Sequence, residues 1–267
     1  MNCKNCHTEL HDHDDYCPNC GARVIRNRLT FKNLFEHISE TFFNYDNKLL
    51  RTLISLFIRP EVVIDDYVGG VRKRFVNPIS FFGLSLSLSG LSVFIIKKFY
   101  LEHFDMMTWM ADLEIFNNPY SQEMLAEQSM SSTMEYTSLM FSLMIPAFAL
   151  ISWVVFLDKK YNFTEHIVLY MYSLSFYSIL SVIFGQLILM IVPESYIPFI
   201  LCTYPIMMLY HCYLLKRLFK LSIGQIILRT FLFLVLFGIT YVIITIVVLI
   251  IQLATGSIKI SDFAPKK

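Results

Sequence analysis

Five stretches, residues 79–96, 138–157, 167–192, 197–215 and 226–253, stay apolar long enough to cross the roughly 30 Å hydrocarbon core of a bilayer at about 1.5 Å per residue. Nothing else in the chain constrains its fold so strongly. In hydrocarbon every backbone N–H and C=O must be satisfied within the protein, so such stretches fold as helices. Composition agrees, with 55% hydrophobic residues, 16% charged residues and a mean hydropathy of +0.55, outside the range of an ordinary soluble domain. The expected fold class is an all-α multi-pass membrane protein of about five transmembrane helices, with its termini on opposite sides.

Orientation follows from the lysines and arginines between the spans. With the N-terminus inside, 11 precede the first span, Lys159 and Lys160 follow the second, and Lys216, Arg217, Lys220 and Arg229 follow the fourth. The inner side then holds 17 against 5 outside, where Lys97, Lys98, Lys259, Lys266 and Lys267 fall. The expected location is the cytoplasmic membrane, with the N-terminus cytoplasmic and the C-terminus outside. The first apolar run begins near Ile79, so no signal peptide is expected ahead of it.

One segment states a chemistry. Residues 3–20, CKNCHTELHDHDDYCPNC, place two Cys-x-x-Cys pairs, Cys3/Cys6 and Cys17/Cys20, ten residues apart. That spacing brings four thiolates into one tetrahedron and predicts a small zinc ribbon with a structural Zn2+. Four sulfurs leave no open position for water, which argues against catalysis at the metal. Gly21 can take the positive φ that turns backbone amides toward the sulfurs, whereas the first pair carries His7 at the equivalent place. Replacement of a cysteine ligand by His7, His11 or His13 stays open at this point, as do a redox dithiol pair and a rubredoxin-like iron site. A thiolate site also fits a reducing compartment. Cys202 and Cys212, ten positions apart on one predicted helix, stand about 15 Å apart and cannot pair.

Between ribbon and spans the chain is basic and amphipathic. Phe31, Leu34, Phe35, Ile38 and Phe42 form one apolar stripe, and Asp46 can cap a second helix carrying Leu49, Leu50, Leu53, Ile54 and Phe57 that stops before Pro60. A third short element ends at Gly69 and Gly70. The run Arg72, Lys73 and Arg74 follows, a membrane-surface basic cluster that fixes topology and can meet anionic headgroups. The expected organisation is a zinc ribbon at 1–22, cytoplasmic amphipathic or interfacial helices at 23–76, and a five-span bundle at 77–256 with an outer loop at 97–136. A short tail occupies 257–267. The outer loop carries seven acidic residues against two lysines. Its His103, Met106, Met107 and Met110 share a helical face, which suits packing better than Cu(I).

Ionisable and polar residues inside spans are functional candidates by default. Here they are Glu165, His166, Gln186, Tyr204 and His211, a possible transport or ligand set. Pro146, Pro198 and Pro205 should kink the second and fourth spans. Gly83, Ser87 and Gly90, with Ser85, Ser89 and Ser92 nearby, let another helix approach the first span closely, in the bundle or in a homo-oligomer. No HExxH, GxSxG, Walker lysine loop or dinucleotide fingerprint occurs, which disfavours an enzyme. Within the ribbon proper only Lys4 is basic beside several acidic residues, which makes nucleic acid a poor partner.

The order of a CKNC…YCPNC ribbon, the segment FNYDNKLLRTLISLFIRPEVVIDDYVGGVRKRFVNP and then several spans resembles a bacterial family of zinc-ribbon multi-pass membrane proteins known only as a domain of unknown function. The resemblance covers roughly residues 1–80, through Asp46, Thr52, Pro60, Tyr67, Gly70, Arg72, Arg74, Asn77 and Pro78, with His7 departing from the usual glycine. It implies a fold and an inner-membrane location and carries no activity. The span plan is also similar in outline to the Yip family, a likeness of fold without a shared motif. The expected function is a non-enzymatic scaffold or regulator whose ribbon docks a protein partner while the bundle sits in the lipid bilayer. The alternative is a transporter or channel for a small solute or lipid.

Overall fold

The computed structural model describes residues 1–24, 26, 30, 48–100 and 137–254, so the stripe from Phe31 to Phe42, Asp46, the Met/His face of the outer loop and the tail lie outside the described residues. Two compact units result, Met1–Lys48 and Leu49–Lys267. The second contains α1 (Lys48–Ile58), α2 (Pro60–Val68), α3 (Pro78–Phe99), α4 (Thr137–Val155), α5 (Phe163–Ile191), a 3-10 turn (Pro193–Ser195), α6 (Tyr196–Leu218) and α7 (Ile223–Ala254). The described residues contain no named strand, only two isolated bridges.

Four helical segments, Pro78–Phe99, Phe163–Ile191, Pro193–Leu218 and Ile223–Val248, are long and apolar enough to cross a membrane. This is a multi-pass membrane protein. A further apolar helix, described over Leu139–Val155, falls where the second of the five expected spans lies, so four of the five are seen at full length among the described residues. The C-terminal end of α4 is cut by a turn in which the Phe156 N–H donates to Ser152 O and Lys159 N–H to Phe156 O.

Helix starts follow local chemistry. Pro60 and Pro78 occupy first-turn positions that need no N–H, and the Asn77 side chain accepts from the Ile79 N–H. Asn162 and Glu165 form a reciprocal capping box on α5, and Ser222 and Gln225 exchange the same pair of bonds at α7. Pro146 and Pro205 lie inside α4 and α6, while Pro198 falls in the first turn of α6.

The core is organised on α5, which packs against α2, α3, α4 and α6. Its small residues let neighbours close in: Ser178 meets Ser89 of α3 at 2.9 Å, and a Cβ on Gly185 would stand 3.2 Å from the Tyr196 ring. Ser85 and Ser92 of α3 are buried, whereas Gly83, Ser87 and Gly90 face away from the described helices.

Helices α1 and α2 belong to this same core. Leu56, Val63, Ile64, Phe75 and Val76 cluster with Phe81, Leu169, Tyr172 and Leu214 of the bundle. Tyrosine hydroxyls fasten the joint: Tyr172 donates to Val76 O at 2.7 Å, Tyr210 to Leu56 O at 3.0 Å and Tyr213 to Ile58 O at 2.6 Å. The Val76 N–H in turn donates to Thr52 Oγ1 at 3.1 Å. Arg217 of α6 grips Glu61 of α2 through two bonds of 3.0 and 2.7 Å. Tyr161 donates to Asp65, so the turn before α5 also holds α2.

The bond at Val76 is buried and that at Ile58 exposed, so equivalent deletions should differ. Tyr172→Phe orphans a buried carbonyl and should destabilise the detergent-solubilised protein by about 1–3 kcal/mol, while Tyr213→Phe, whose carbonyl can turn to water, should cost under about 1 kcal/mol. Equal thermal shifts for the two variants would contradict this account.

Between α4 and α5 the Arg229 guanidinium, bonded twice to Asp158 at 2.7 Å, holds that carboxyl down at about 2. A depressed acid stabilises the fold above its unfolded value of about 3.9 and loses that contribution as pH falls toward 2. Asp158→Asn should therefore lower the thermal midpoint modestly at pH 7, since the pair is partly solvated, and converge on the wild type as pH falls through that window, which flattens the acid limb of the profile.

Candidate metal centre

The first unit is built as two copies of one turn, fourteen residues apart. In the first, Cys3 N–H donates to Thr8 O and His7 N–H to Cys3 O; in the second, Cys17 N–H donates to Ala22 O and Gly21 N–H to Cys17 O, all at 2.8–2.9 Å. Each turn is closed by a bridge, Asn2 with Glu9 and Tyr16 with Arg23. The fifth residue of each takes a left-handed backbone, φ 60° at His7 and 69° at Gly21. Gly21 does so without strain, while His7 carries its side chain in a conformation costing about 1 kcal/mol relative to glycine.

This repeated geometry brings the Sγ atoms of Cys3, Cys6, Cys17 and Cys20 within 4.8 Å of one another. Cys3 and Cys20 lie 3.7 Å apart and Cys6 and Cys17 3.5 Å, far from the roughly 2.05 Å of a disulfide. Four sulfurs at about 2.3 Å from one tetrahedral ion stand about 3.8 Å apart, so the four cysteines fit such an ion. His7, His11 and His13 are exposed and do not join the group. The Thr8 hydroxyl, 3.2 Å from Cys6 Sγ, lowers that thiol to about 6 and favours the thiolate a metal needs. Asn19 Nδ2 donates to Thr8 Oγ1 at 3.0 Å and ties one turn to the other. Apolar support is small: Cys3, Leu10 and Cys17 are buried, with Ala22 and Val24 packed beside them.

The polar residues of the spans do not converge. Glu165 is used in the α5 cap, and Gln186 Nε2 donates to Ser92 Oγ at 2.7 Å. His166 is fully buried, with Nδ1 3.1 Å from Ser152 Oγ and Nε2 without a partner, beside the rings of Phe156, Tyr161 and Phe219. His211 lies flat on Tyr170 with its nitrogens at 2.8 Å from Met207 O and 3.0 Å from Ser173 Oγ. Tyr204 and His211 do line a common cavity of about 340 Å³ among α4, α5, α6 and α7, whose other walls are largely apolar. That cavity was not legible in the sequence, where Arg229 reads as a loop charge; the structure places it in the second turn of α7.

In the basic cluster, Arg72 stacks over the Tyr67 ring at 3.9 Å and donates to its carbonyl, and Arg74 pairs with Asp66 at 2.8 Å. Both arginines thus close the loop between α2 and α3.

A family model described as "Protein of unknown function (DUF3667)" matches residues 46–90. The match takes in α1, α2, the loop after it and the first half of α3, and leaves the cysteine turns outside. No curated protein and no solved structure matches the chain.

The two left-handed positions yield a paired expectation. His7→Gly should raise the chelator concentration needed to strip metal from the protein, and Gly21→Ala should lower it by a factor of about five, the equivalent of about 1 kcal/mol. A competition titration with a chromophoric chelator reads both; shifts of the same sign would refute the strain assignment.

Proposed function

We propose that this chain is a membrane-anchored scaffold or regulator without enzymatic activity, whose N-terminal turns hold a structural Zn2+ and dock a protein partner on the cytoplasmic side. The observation that carries the reading is the convergence of four sulfurs and nothing else in one group. A closed thiolate shell stabilises a surface and leaves no position for substrate. Zinc suits such a tetrahedron in a reducing compartment, and the 17-to-5 distribution of lysine and arginine supports an N-terminus inside and a C-terminus outside with α4 as a fifth crossing. The ionisable residues of the bundle support the same reading, since Glu165, Arg217 and Arg229 are used in caps and ion pairs within the protein. The match to a family of unknown function is compatible with this role and adds no activity.

Three measurements bear on the proposal. Elemental analysis of the purified full chain should find one zinc per chain, lost in Cys17→Ser; iron with a charge-transfer spectrum would overturn the zinc assignment. A cysteine placed at Tyr120 should react with an impermeant reagent from outside intact cells, and labelling only after lysis would reverse the topology. Crosslinking in native membranes should trap a partner on the wild-type chain that Cys17→Ser loses while still inserting normally. An unchanged crosslinking pattern would exclude docking through the ribbon.

A further inference from the structure

The cavity among α4, α5, α6 and α7 has a chemistry of its own. Its volume of about 340 Å³ falls at the lower end of ligand pockets, roughly 300–1,000 Å³. Phe148 forms its floor, with the rings of Tyr170, Phe233 and Phe237 at 5.6–5.8 Å. Each polar side chain at its wall that carries a described bond is already matched inside the protein. The two His211 nitrogens face Met207 O and Ser173 Oγ, Cys212 Sγ and Thr230 Oγ1 meet at 3.3 Å, and Arg229 is held by Asp158 and Val155 O. Apart from the Tyr204 hydroxyl at its exposed side, an occupant is therefore asked for apolar surface along the cavity's length.

The cavity opens sideways. Tyr204, Met208 and Leu234 line it and are 56%, 42% and 46% exposed, on helices whose outward residues include Leu209 and Phe231, at 65% and 62%. In a spanning protein those faces meet lipid hydrocarbon, so the cavity is continuous with the acyl region of the bilayer. One end carries charge: Arg229 reaches Asp158 at 2.7 Å, and Lys159 Nζ lies 3.6 Å from the same carboxylate. Two cations share one anion there, a net charge of +1 beside the mouth of an apolar slot.

We propose that this cavity takes one acyl chain of an anionic glycerophospholipid, with the headgroup at the Arg229, Asp158 and Lys159 rim. The chain fills the slot against Phe148 and Phe233, and the phosphate balances the excess cation. This inference stands independently of the ribbon's proposed role.

The test uses the full chain purified in detergent, titrated with phosphatidylglycerol or phosphatidylcholine of identical acyl chains and read by native mass spectrometry. One phosphatidylglycerol should be retained, about five-fold tighter than phosphatidylcholine, the effect of one unbalanced charge near a headgroup. A phosphatidylglycerol with a diazirine on its acyl chain should label peptides around Phe148 and Phe233. Leu234→Trp and Met208→Trp, both at half-exposed positions that tolerate a larger side chain, should each weaken retention about ten-fold by filling the slot, whereas Ile206→Trp, outside the lining, should leave it unchanged. The proposal is overturned if both lipids bind alike or if a free fatty acid displaces the phospholipid at equal concentration. It is equally overturned if label spreads evenly over the outward helix faces, or if both filling variants keep the wild-type thermal midpoint and full retention.

Discussion

The second unit depends on how the backbone at Val76 is satisfied where the chain turns into its first span. Val76 is buried, so its N–H and C=O have no water to turn to, and each unmatched group would cost about 1–3 kcal/mol. Thr52 from α1 accepts from one and Tyr172 from α5 donates to the other. Two helices far apart in sequence are thereby fixed to the same peptide, and the start of α3 is fixed with them. Tyr67 lies edge-on to Tyr172, and Arg72 covers the other side of Tyr67, so the arginine completes a stack that begins inside the core. The residues matched by the family model take in Thr52, Tyr67, Arg72 and Val76 of this joint, while Tyr172 lies outside them.

The same logic explains why α5 carries so many small hydroxyl residues in an otherwise apolar sequence. A helix surrounded by α2, α3, α4 and α6 cannot present one apolar stripe and one wet face. It has to be compatible with neighbours on every side, and association within lipid gains little from the hydrophobic effect. Close approach and short polar contacts take its place: Ser173 to His211, Ser178 to Ser89 and Gln186 to Ser92 lie along its length toward three different partners or depths. The histidines in these contacts lie where a proton path would need them to be open, yet His211 is bonded on both nitrogens and His166 is sealed among aromatic rings.

Much of this was legible before the structure, and the gaps have a common cause. Apolar length located most of the spans and Pro60 marked the end of α1, because those signals are local, whereas the caps at Asn77 and Asn162 did not stand out. Periodicity put Leu49, Leu50, Leu53, Ile54 and Phe57 on the apolar stripe of α1, whereas Leu50, Ile54 and Phe57 are exposed and Thr52 and Leu56 are the residues buried, because the helix meets the bundle along a different line. Charge counting found Arg72, Arg74 and Arg229 as cations without revealing Tyr67, Asp66 and Asp158 as their partners, since counter-ions come from contacts between elements. The C-terminal end of α4 was missed because apolar residues continue into the turn at Phe156 and Leu157, where hydropathy does not change although the backbone does. In the N-terminal segment the cysteine spacing carried nearly everything and marked Gly21 as a left-handed turn, whereas His7 read as a departure and takes the same turn at φ 60°.

The ribbon and the bundle rest on opposite sources of stability. The bundle has an extended apolar core, whereas among the described residues of the first unit the buried hydrophobic ones are Cys3, Leu10 and Cys17. A cluster of that size offsets little conformational entropy by burial, so an ion held by its four sulfurs would supply a large part of its stability. Thiols must lose their protons to bind, and the Thr8 hydroxyl eases that loss at Cys6. Loss of such an ion would then loosen the cysteine turns, whereas no residue of the Val76 joint is a cysteine.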